Sequence, residues 1–478
     1  MKIELFTLNG SYSHSCLAVR CLKTALREAG FAEVHSTEGT LRDRTEALLA
    51  ELIAAKAALY SFSCYIWNIE PLLALARDLK AVLPDCKIVL GGPEVSFDTD
   101  RFTALDYVDT VITGEGEEAI VTLAKMLEEG KPLPQLLTGS PDRAFLARGT
   151  HYDKNETTSA LVYYEGARGC PFACTFCLSS ATVGVRAKSA EQVLADLLEF
   201  EHLSGALTVK LVDRTFNFDR ERAKAIWRGL LSPEYTKCYH FEIAAHLLDE
   251  ESFDLLARFP KGKVRLEIGL QSTNPKTLAA VCRHVSAENT LAAAARLKRA
   301  GNVHVHLDLI AGLPFEDYRS FAASFDAAYP VCDVLQLGFL KLLHGTALCR
   351  DAEKYGIAAS GTPPYTVLKT SVLSFEELHR LHGISGILDR LHEKGNFAHS
   401  LHFILAHTPS PFAFFEGFLD YLKNALGRPL QGISQRDLFG AVWNYGKTLI
   451  NQELHDDFRT HLTADFSTFE ARRPPQFI

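Results

Sequence analysis

Gly169-Cys170-Pro171-Phe172-Ala173-Cys174-Thr175-Phe176-Cys177 places three thiols in a C-x3-C-x2-C loop directly behind a β-rich run at 161–166. Loops at the carboxyl ends of strands are where α/β barrels gather their chemistry, so this stretch decides how the rest of the chain is read. With 11 cysteines in 478 residues, three within eight positions are not a chance gathering. A trio of buried structural cysteines is one reading, and zinc is another. Structural zinc, however, pairs one C-x2-C knuckle with a second, distant pair, whereas all three thiols here share one loop. Soft thiolates in a tight trio suit iron–sulfur ligation. A cubane [4Fe–4S] cluster normally takes four cysteines, so three leave one iron with a free position.

Working outward, strand candidates recur near 161–166, 207–213, 239–245, 264–269, 303–310 and 333–340. Helical stretches separate them, one opened by the capping box Ser189-Ala190-Glu191-Gln192. Six strand–helix units are too few for a closed eight-fold barrel and fit a partial (β/α)6 TIM-type barrel. Upstream, Lys2–Leu8, Ala57–Ser63, Lys87–Leu90 and Asp109–Ile112 read as strands, with helices over about Leu17–Ala29 and Pro71–Val82. Glycines follow two of these strands, Gly91-Gly92 and Gly114-Glu115-Gly116. That alternation predicts an α/β, Rossmann-like doubly wound parallel sheet. Turn formers crowd the next stretch (Gly130-Lys-Pro-Leu-Pro, Gly139-Ser-Pro-Asp), and a second capping box, Ser374-Phe375-Glu376-Glu377, opens a helical pattern beyond about 371. The expected domains are 1–130 (Rossmann-like), 131–160 (linker), 161–360 (partial barrel) and 361–478 (helical).

Composition narrows the function. The chain is 47% hydrophobic and 23% charged, with a net charge of −8, which leaves no electrostatic footprint for nucleic acid. No apolar run approaches the ~20 residues a bilayer needs. Met1-Lys2-Ile3-Glu4-Leu5 carries an acid where a signal peptide would be apolar. Clustered cysteines without a secretory signal point to metal chemistry in a reducing, cytoplasmic setting, with no membrane partner.

The loop, with Phe176 as the aromatic of C-x3-C-x-aromatic-C, resembles the signature of the radical S-adenosylmethionine (SAM) superfamily. The likeness extends over Arg168-Gly-Cys-Pro-Phe172, Asp213-Arg-Thr-Phe-Asn217, Glu267-Ile-Gly-Leu-Gln-Ser272, Arg283 and Asp308-Leu-Ile-Ala-Gly-Leu-Pro314. It implies that Cys170, Cys174 and Cys177 ligate a [4Fe–4S] cluster. SAM chelates the open iron and is reductively cleaved to a 5′-deoxyadenosyl radical, with electrons from a flavodoxin- or ferredoxin-type donor. By the same correspondence Glu242, Gln271 and Asp308 contact the SAM ribose and methionine groups, Arg283 its carboxylate, and Gly269 and Gly312 admit adenine. The usual Gly-Gly-Glu after the second strand is replaced by Val212-Asp213-Arg214-Thr215, which makes Asp213 the first candidate for the SAM amine.

Ser61-Phe62-Ser63 followed by Gly91-Gly92, with Glu115 in the next glycine-flanked turn, resembles cobalamin-binding domains. Fused to such a barrel, it is similar to the B12-binding, class B-like radical SAM family with a helical C-terminal extension. That resemblance implies Ser61, Ser63, Gly91, Gly92 and Glu115 as cobalamin contacts. It also implies methylation, or another rearrangement, of an unactivated carbon in a small-molecule or peptide substrate. The D-x-H-x-x-G half-motif is missing, since the loop reads Asn9-Gly-Ser-Tyr-Ser-His14. Two readings stay open: cobalamin bound without an axial protein histidine, or a domain that has lost it, with group addition, oxidation or isomerisation as the outcome. His14 is a conceivable substitute ligand.

Three further features carry weaker expectations. Cys16, Cys64 and Cys86 could hold the second cluster of a methylthiotransferase. Six histidines between His379 and His407 could suggest a metal, but lack an accompanying cysteine or acidic cluster. Lys341 and His344, just past the sixth strand, are expected where substrate would arrive.

Overall fold

Ile3–Asn9 (β1) shows why the first sheet is parallel and sandwiched. Ile3 and Leu5 enter one core while Phe6 and Leu8 enter another, so both faces of the strand are covered. The computed structural model describes residues 1–153, 158–181, 184–426 and 432–470. Residues 154–157 of the stretch read as a linker, and 427–431 and 471–478 of the helical region, lie outside the described residues. Two compact units divide the chain. The first comprises 1–265, 341–351 and 360–366; the second comprises 266–340, 352–359 and 367–478.

In the first unit, α1 (Leu17–Glu28), β2 (Val34–Thr40), α2 (Thr45–Ala55), β3 (Leu59–Ser63), α3 (Ile69–Val82), β4 (Lys87–Gly91), α4 (Thr99–Thr103), β5 (Thr110–Gly114), α5 (Gly116–Glu128) and β6 (Leu136–Gly139) follow β1. The sheet order β2-β1-β3-β4-β5-β6, every pair parallel, is that of a doubly wound sheet. Two of its strands escape the sequence pattern. β2 (Val-His-Ser-Thr-Glu-Gly-Thr) is too polar to announce itself, because it is an edge strand. β6 (Leu-Leu-Thr-Gly) lies inside the stretch read as linker, where flanking prolines and glycines mask a four-residue edge strand. The switch point lies between β1 and β3 and is tied by Asn68, fully buried. Its Nδ2 donates to Thr7 Oγ1 (3.2 Å), Leu8 O (3.1 Å) and Ser63 O (3.2 Å), and its Oδ1 accepts from Tyr65 N (2.7 Å).

The same unit continues with β7 (Leu161–Tyr164), the antiparallel hairpin β8 (Ala167–Gly169) and β9 (Val185–Ala187), α6 (Ala190–Glu201), β10 (Thr208–Leu211), α7 (Arg220–Leu230), β11 (Cys238–Ile243) and α8 (Glu250–Ala257). β10 pairs in parallel with β7 and β11. Ser189 caps α6, yet the expected capping box is only half formed: Gln192 Nε2 donates to Asp196 Oδ1 (2.7 Å).

β12 (Val264–Gln271) runs into the second unit, which goes on through α9 (Pro275–Ala280), α10 (Ala287–Ala300), β13 (His304–Ala311), α11 (Tyr318–Ala328) and β14 (Val334–Phe339). The alternation is that of a partial (β/α)6 TIM-type barrel, its strands divided three and three between the units. The chain then re-enters the first unit through Lys341–Asp351, which holds α12 (Ala347–Arg350). Beyond it come α13 (Phe375–Leu388), opened by a complete Ser374/Glu377 capping box, α14 (Ala398–Leu405), α15 (Pro411–Tyr421), α16 (Gln435–Leu449) and α17 (His455–Phe469). This helical region packs onto the barrel part of its own unit. His382 stacks on Phe339 of β14 at 3.4 Å, and Phe412 and Phe415 of α15 lie 5.5 and 5.7 Å from Phe325.

Asn68→Ala strands several buried polar partners at once. It should lower stability by about 1–3 kcal/mol, read as a reduced unfolding midpoint in urea.

Candidate functional site

The carboxyl edge of the first sheet opens into a cleft of about 710 Å³. Ser61, Ser63, Gly91, Gly92 and Glu115, the five residues picked out for the N-terminal domain, all line it. So do Gly169, Leu178 and Ser179 at the flanks of the cysteine loop, and Val212 and Arg214 behind β10. Gly92 is required at φ +114°, where a Cβ would stand 2.5 Å from Cys64 O. Apolar and small side chains from α1 (Leu17, Ala18, Leu22) and Phe97 complete the wall, and no periodicity in the sequence marks these as lining residues.

The cysteine loop leaves β8 through Gly169 (φ +96°), whose missing side chain leaves room for Gly184 O. Cys174 is buried, Cys170 and Cys177 are half-buried, and none is in a disulfide. Cys170 Sγ lies 3.6 Å from Thr215 Oγ1, and Phe172 packs against His246 with ring centres 5.7 Å apart. Phe176 is half-buried between the last two thiols in sequence. Among the described residues no three His, Cys, Asp or Glu side chains are gathered around a single metal-ion position. A cubane takes its thiolates at separate irons.

Asp213 is engaged by the backbone at the start of β8. It is fully buried, and its Oδ1 accepts from Gly166 N (2.7 Å) and Ala167 N (3.0 Å), holding the entry to β8. Arg222 Nη2 lies 3.6 Å from its other oxygen and donates to Gly166 O (3.1 Å). Burial pushes the Asp213 pKa up against the pull of Arg222. This carboxylate is structural because the β7–β8 turn needs its amides satisfied. Glu242, on the half-exposed face of β11, lies 3.7 Å from Lys210 Nζ.

In the second unit Gly269, Gln271 and Arg283 come together. Arg283 donates to Gly269 O, and a Cβ at 269 would run into Gln271 Nε2. Asp308 Oδ1 lies 3.2 Å from His306 Nε2. Burial disfavours the imidazolium, but Asp308 outweighs it and raises the His306 pKa. Gly312 takes φ +93° and faces Leu340, Val367 and Leu378.

Glu115 borders the cleft with its carboxylate already engaged: it accepts from Arg168 (2.7 Å), Arg186 and Asp142 N (2.8 Å). His14 hydrogen-bonds and stacks with Tyr163 and does not line the cleft. Cys16 sits in the core on one face of the first sheet, Cys64 and Cys86 in the core on the other, so they cannot share one cluster. Four of the C-terminal histidines, His379, His382, His392 and His407, serve as ring or hydrogen-bond partners. His392, for example, meets Tyr329 Oη at 3.1 Å, and burial lowers its pKa to about 4. Lys341 and His344 do not line the cleft either. Their segment is a strap within the first unit. Tyr365, edge-on to His344 at 4.8 Å, donates to Glu94 (2.6 Å), Gly345 lies against Phe97, and Leu348 N donates to Thr175 O (2.9 Å) inside the cysteine loop.

Asp213→Ala leaves the 7%-exposed Arg222 buried without its carboxylate. It should cost about 3–5 kcal/mol in urea unfolding, whether or not SAM is added.

Residues 5–124 match the B12 binding domain family, 164–328 the radical SAM superfamily, and 353–478 a family described as a protein of unknown function (DUF4080). Over 301 residues the chain is 28% identical to the cobalamin-dependent radical SAM methyltransferase TokK of Streptomyces tokunonensis, covering 55% of this chain and 43% of that one. The 2-(S-pantetheinyl)-carbapenam-3-carboxylate methyltransferase of Streptantibioticus cattleyicolor is 27% identical, with the same coverage. The chain thus spans about two fifths of the length of these curated relatives. Among solved structures, OxsB with aqua-cobalamin and SAM bound superposes with a TM-score of 0.68 at 13% identity, covering 99% of this chain and 82% of that one. TsrM from Kitasatospora setae, with cobalamin and a [4Fe–4S] cluster, gives 0.60 at 18% identity, covering 76% and 79%. These likenesses show the fold. The first matched domain implies cobalamin, the second a [4Fe–4S] cluster and SAM. The chain thus carries a B12-binding domain over 5–124 and a radical SAM domain over 164–328, with a helical region after them.

Proposed function

We propose that this chain is a cobalamin-dependent radical SAM enzyme that methylates an unactivated carbon of a small-molecule or peptide substrate. The observation that carries the reading is the single cleft bordered both by Ser61, Ser63, Gly91 and Gly92 and by the flanks of the cysteine loop. When bound, the reduced cluster with SAM supplies a 5′-deoxyadenosyl radical, and methylcobalamin supplies the methyl group.

The residues present fit those groups. Three thiols outside any disulfide offer soft donors to a cluster and leave its fourth iron to an exchangeable ligand. Small residues at the ends of β3 and β4 leave the sheet edge bare, so a broad macrocycle could lie against backbone. A Cβ at Gly91 would find nothing nearer than 3.8 Å, which leaves that surface open. Among the described residues no histidine lines the cleft, so cobalamin seated there would be held without an axial imidazole from them. Leu17, Leu22, Leu178 and Phe97 give the cleft an apolar wall that would exclude water from the reacting carbon.

Anaerobic reconstitution should give about four irons per chain, a corrin spectrum in the purified protein, and 5′-deoxyadenosine from SAM under reduction. Cys174→Ala should lose the iron and the 5′-deoxyadenosine together. A wild-type protein that retains iron and cleaves SAM but takes up no corrin would overturn the cobalamin part of the reading.

A further inference from the structure

The densest set of ion pairs beside the cysteine loop has no part in the chemistry described so far. Arg168 stands two residues before Cys170 and engages three carboxylates. Its Nε donates to Glu165 (2.9 Å), its Nη1 to Glu115 (2.7 Å) and its Nη2 to Glu117. Glu115 is the N-cap residue of α5 and Glu117 lies in its first turn. Arg186 sits directly across the β8–β9 ladder from Arg168, reaches the other oxygen of Glu115, and donates to Asp142 O (2.9 Å). The Phe145 ring lies 4.6 Å from the Arg168 guanidinium and 5.8 Å from that of Arg186.

Two features show what this cluster does. First, β8 and β9 form a sheet of only two three-residue strands, and such a hairpin is marginal without outside support. Second, the charges are desolvated and closely matched. Arg168 is 13% exposed and Glu117 6%. Burial works against the charged form of Glu117, yet Arg168 outweighs it and holds the carboxyl below the usual range. Glu165 is pushed up, because burial outweighs the pull of Arg168. Removing Arg168 would leave three carboxylates facing one another where water is scarce.

We infer that Arg168, with Glu115 and Glu117, is a positioning clamp. It bolts the β8–β9 hairpin, and so the root of the cysteine loop, to the N-terminus of α5 on the rim of the cleft. Glu115 then serves the hairpin, not the corrin. The planar fork matters, because it fixes its donors along separate directions toward Glu165, Glu115 and Glu117, whereas a lysine ammonium is one point charge on a flexible stem. The inference rests on the proposed function only for the identity of the two groups whose separation is fixed. A misplacement of about 1 Å between reacting groups can cost on the order of 10²-fold in rate, which is why such a hinge would be locked.

The test compares wild type, Arg168→Lys, Arg168→Met and Glu117→Gln in the full chain. Backbone amide exchange is read at 167–169 and 185–187, before any cofactor is loaded. The clamp predicts exchange at least about tenfold faster in Arg168→Met, with Arg168→Lys between it and wild type. If Arg168→Met does not fold, Glu117→Gln carries the comparison, with a smaller rise expected. Rates in the folded variants within a factor of about two of wild type would overturn the clamp. In protein loaded with cob(II)alamin and with the cluster reduced to [4Fe–4S]+, the magnetic coupling between the two spins should be well defined in wild type and broadened in Arg168→Met. An unchanged coupling there would also overturn it. Failure of wild type to load either group would sink the functional reading, and the exchange data would still decide the clamp.

Discussion

A buried guanidinium cannot shed its charge, so the chain around Arg168 must bring carboxylates to it. It does so from two directions: Glu165 comes from the strand-end turn before it, Glu115 and Glu117 from the first turn of α5. Just upstream, Asp213 accepts from the amides of Gly166 and Ala167, and Arg222 donates to Gly166 O. The start and middle of β8 are therefore gripped by charge-assisted hydrogen bonds. Beyond those grips the cysteine loop keeps two of its three thiols half-exposed.

The cleft is a product of sheet topology before it is a product of any side chain. With β1 flanked by β2 and β3, the connections leave the carboxyl edge on opposite faces and open a crevice there. Asn68 fixes that crevice by tying the ends of β1 and β3 to the start of α3. Gly92 then turns back against Cys64 O, closer than any side chain would permit. A corrin-sized ligand would thus meet backbone and hydroxyls, which discriminate by shape.

Much of this was legible in the residues. The cysteine spacing, the six barrel strands and the Ser61–Ser63/Gly91–Gly92 pair stand out because each has a local signature: spacing, period or glycine. What escaped has none. β2 and β6 are edge strands whose pairing is set by neighbours far along the chain. Asp213 reads as a strand-end acid, and only the fold reveals that two amides and Arg222 already claim it. Glu115 likewise reads as a cleft residue and is one, but its charge answers to Arg168 and Arg186, more than 50 positions later. Long-range charge compensation leaves no periodic trace.

The strap that follows β14 has an effect on how the protein must be made. Tyr365 reaches Glu94, Gly345 abuts Phe97 and Leu348 closes onto Thr175, so a unit begun at residue 1 is completed only by residues up to 366. During synthesis the amino-terminal sheet can form early, since its contacts lie within the first 139 residues. Its rim cannot be finished until more than 200 further residues have emerged from the ribosome. Such late closure of a long loop is slow, and it exposes unfinished surface to aggregation in the meantime. Expression yield would then be sensitive to chaperones and to truncation beyond the last barrel strand, at positions far along the chain from Cys170, Cys174 and Cys177.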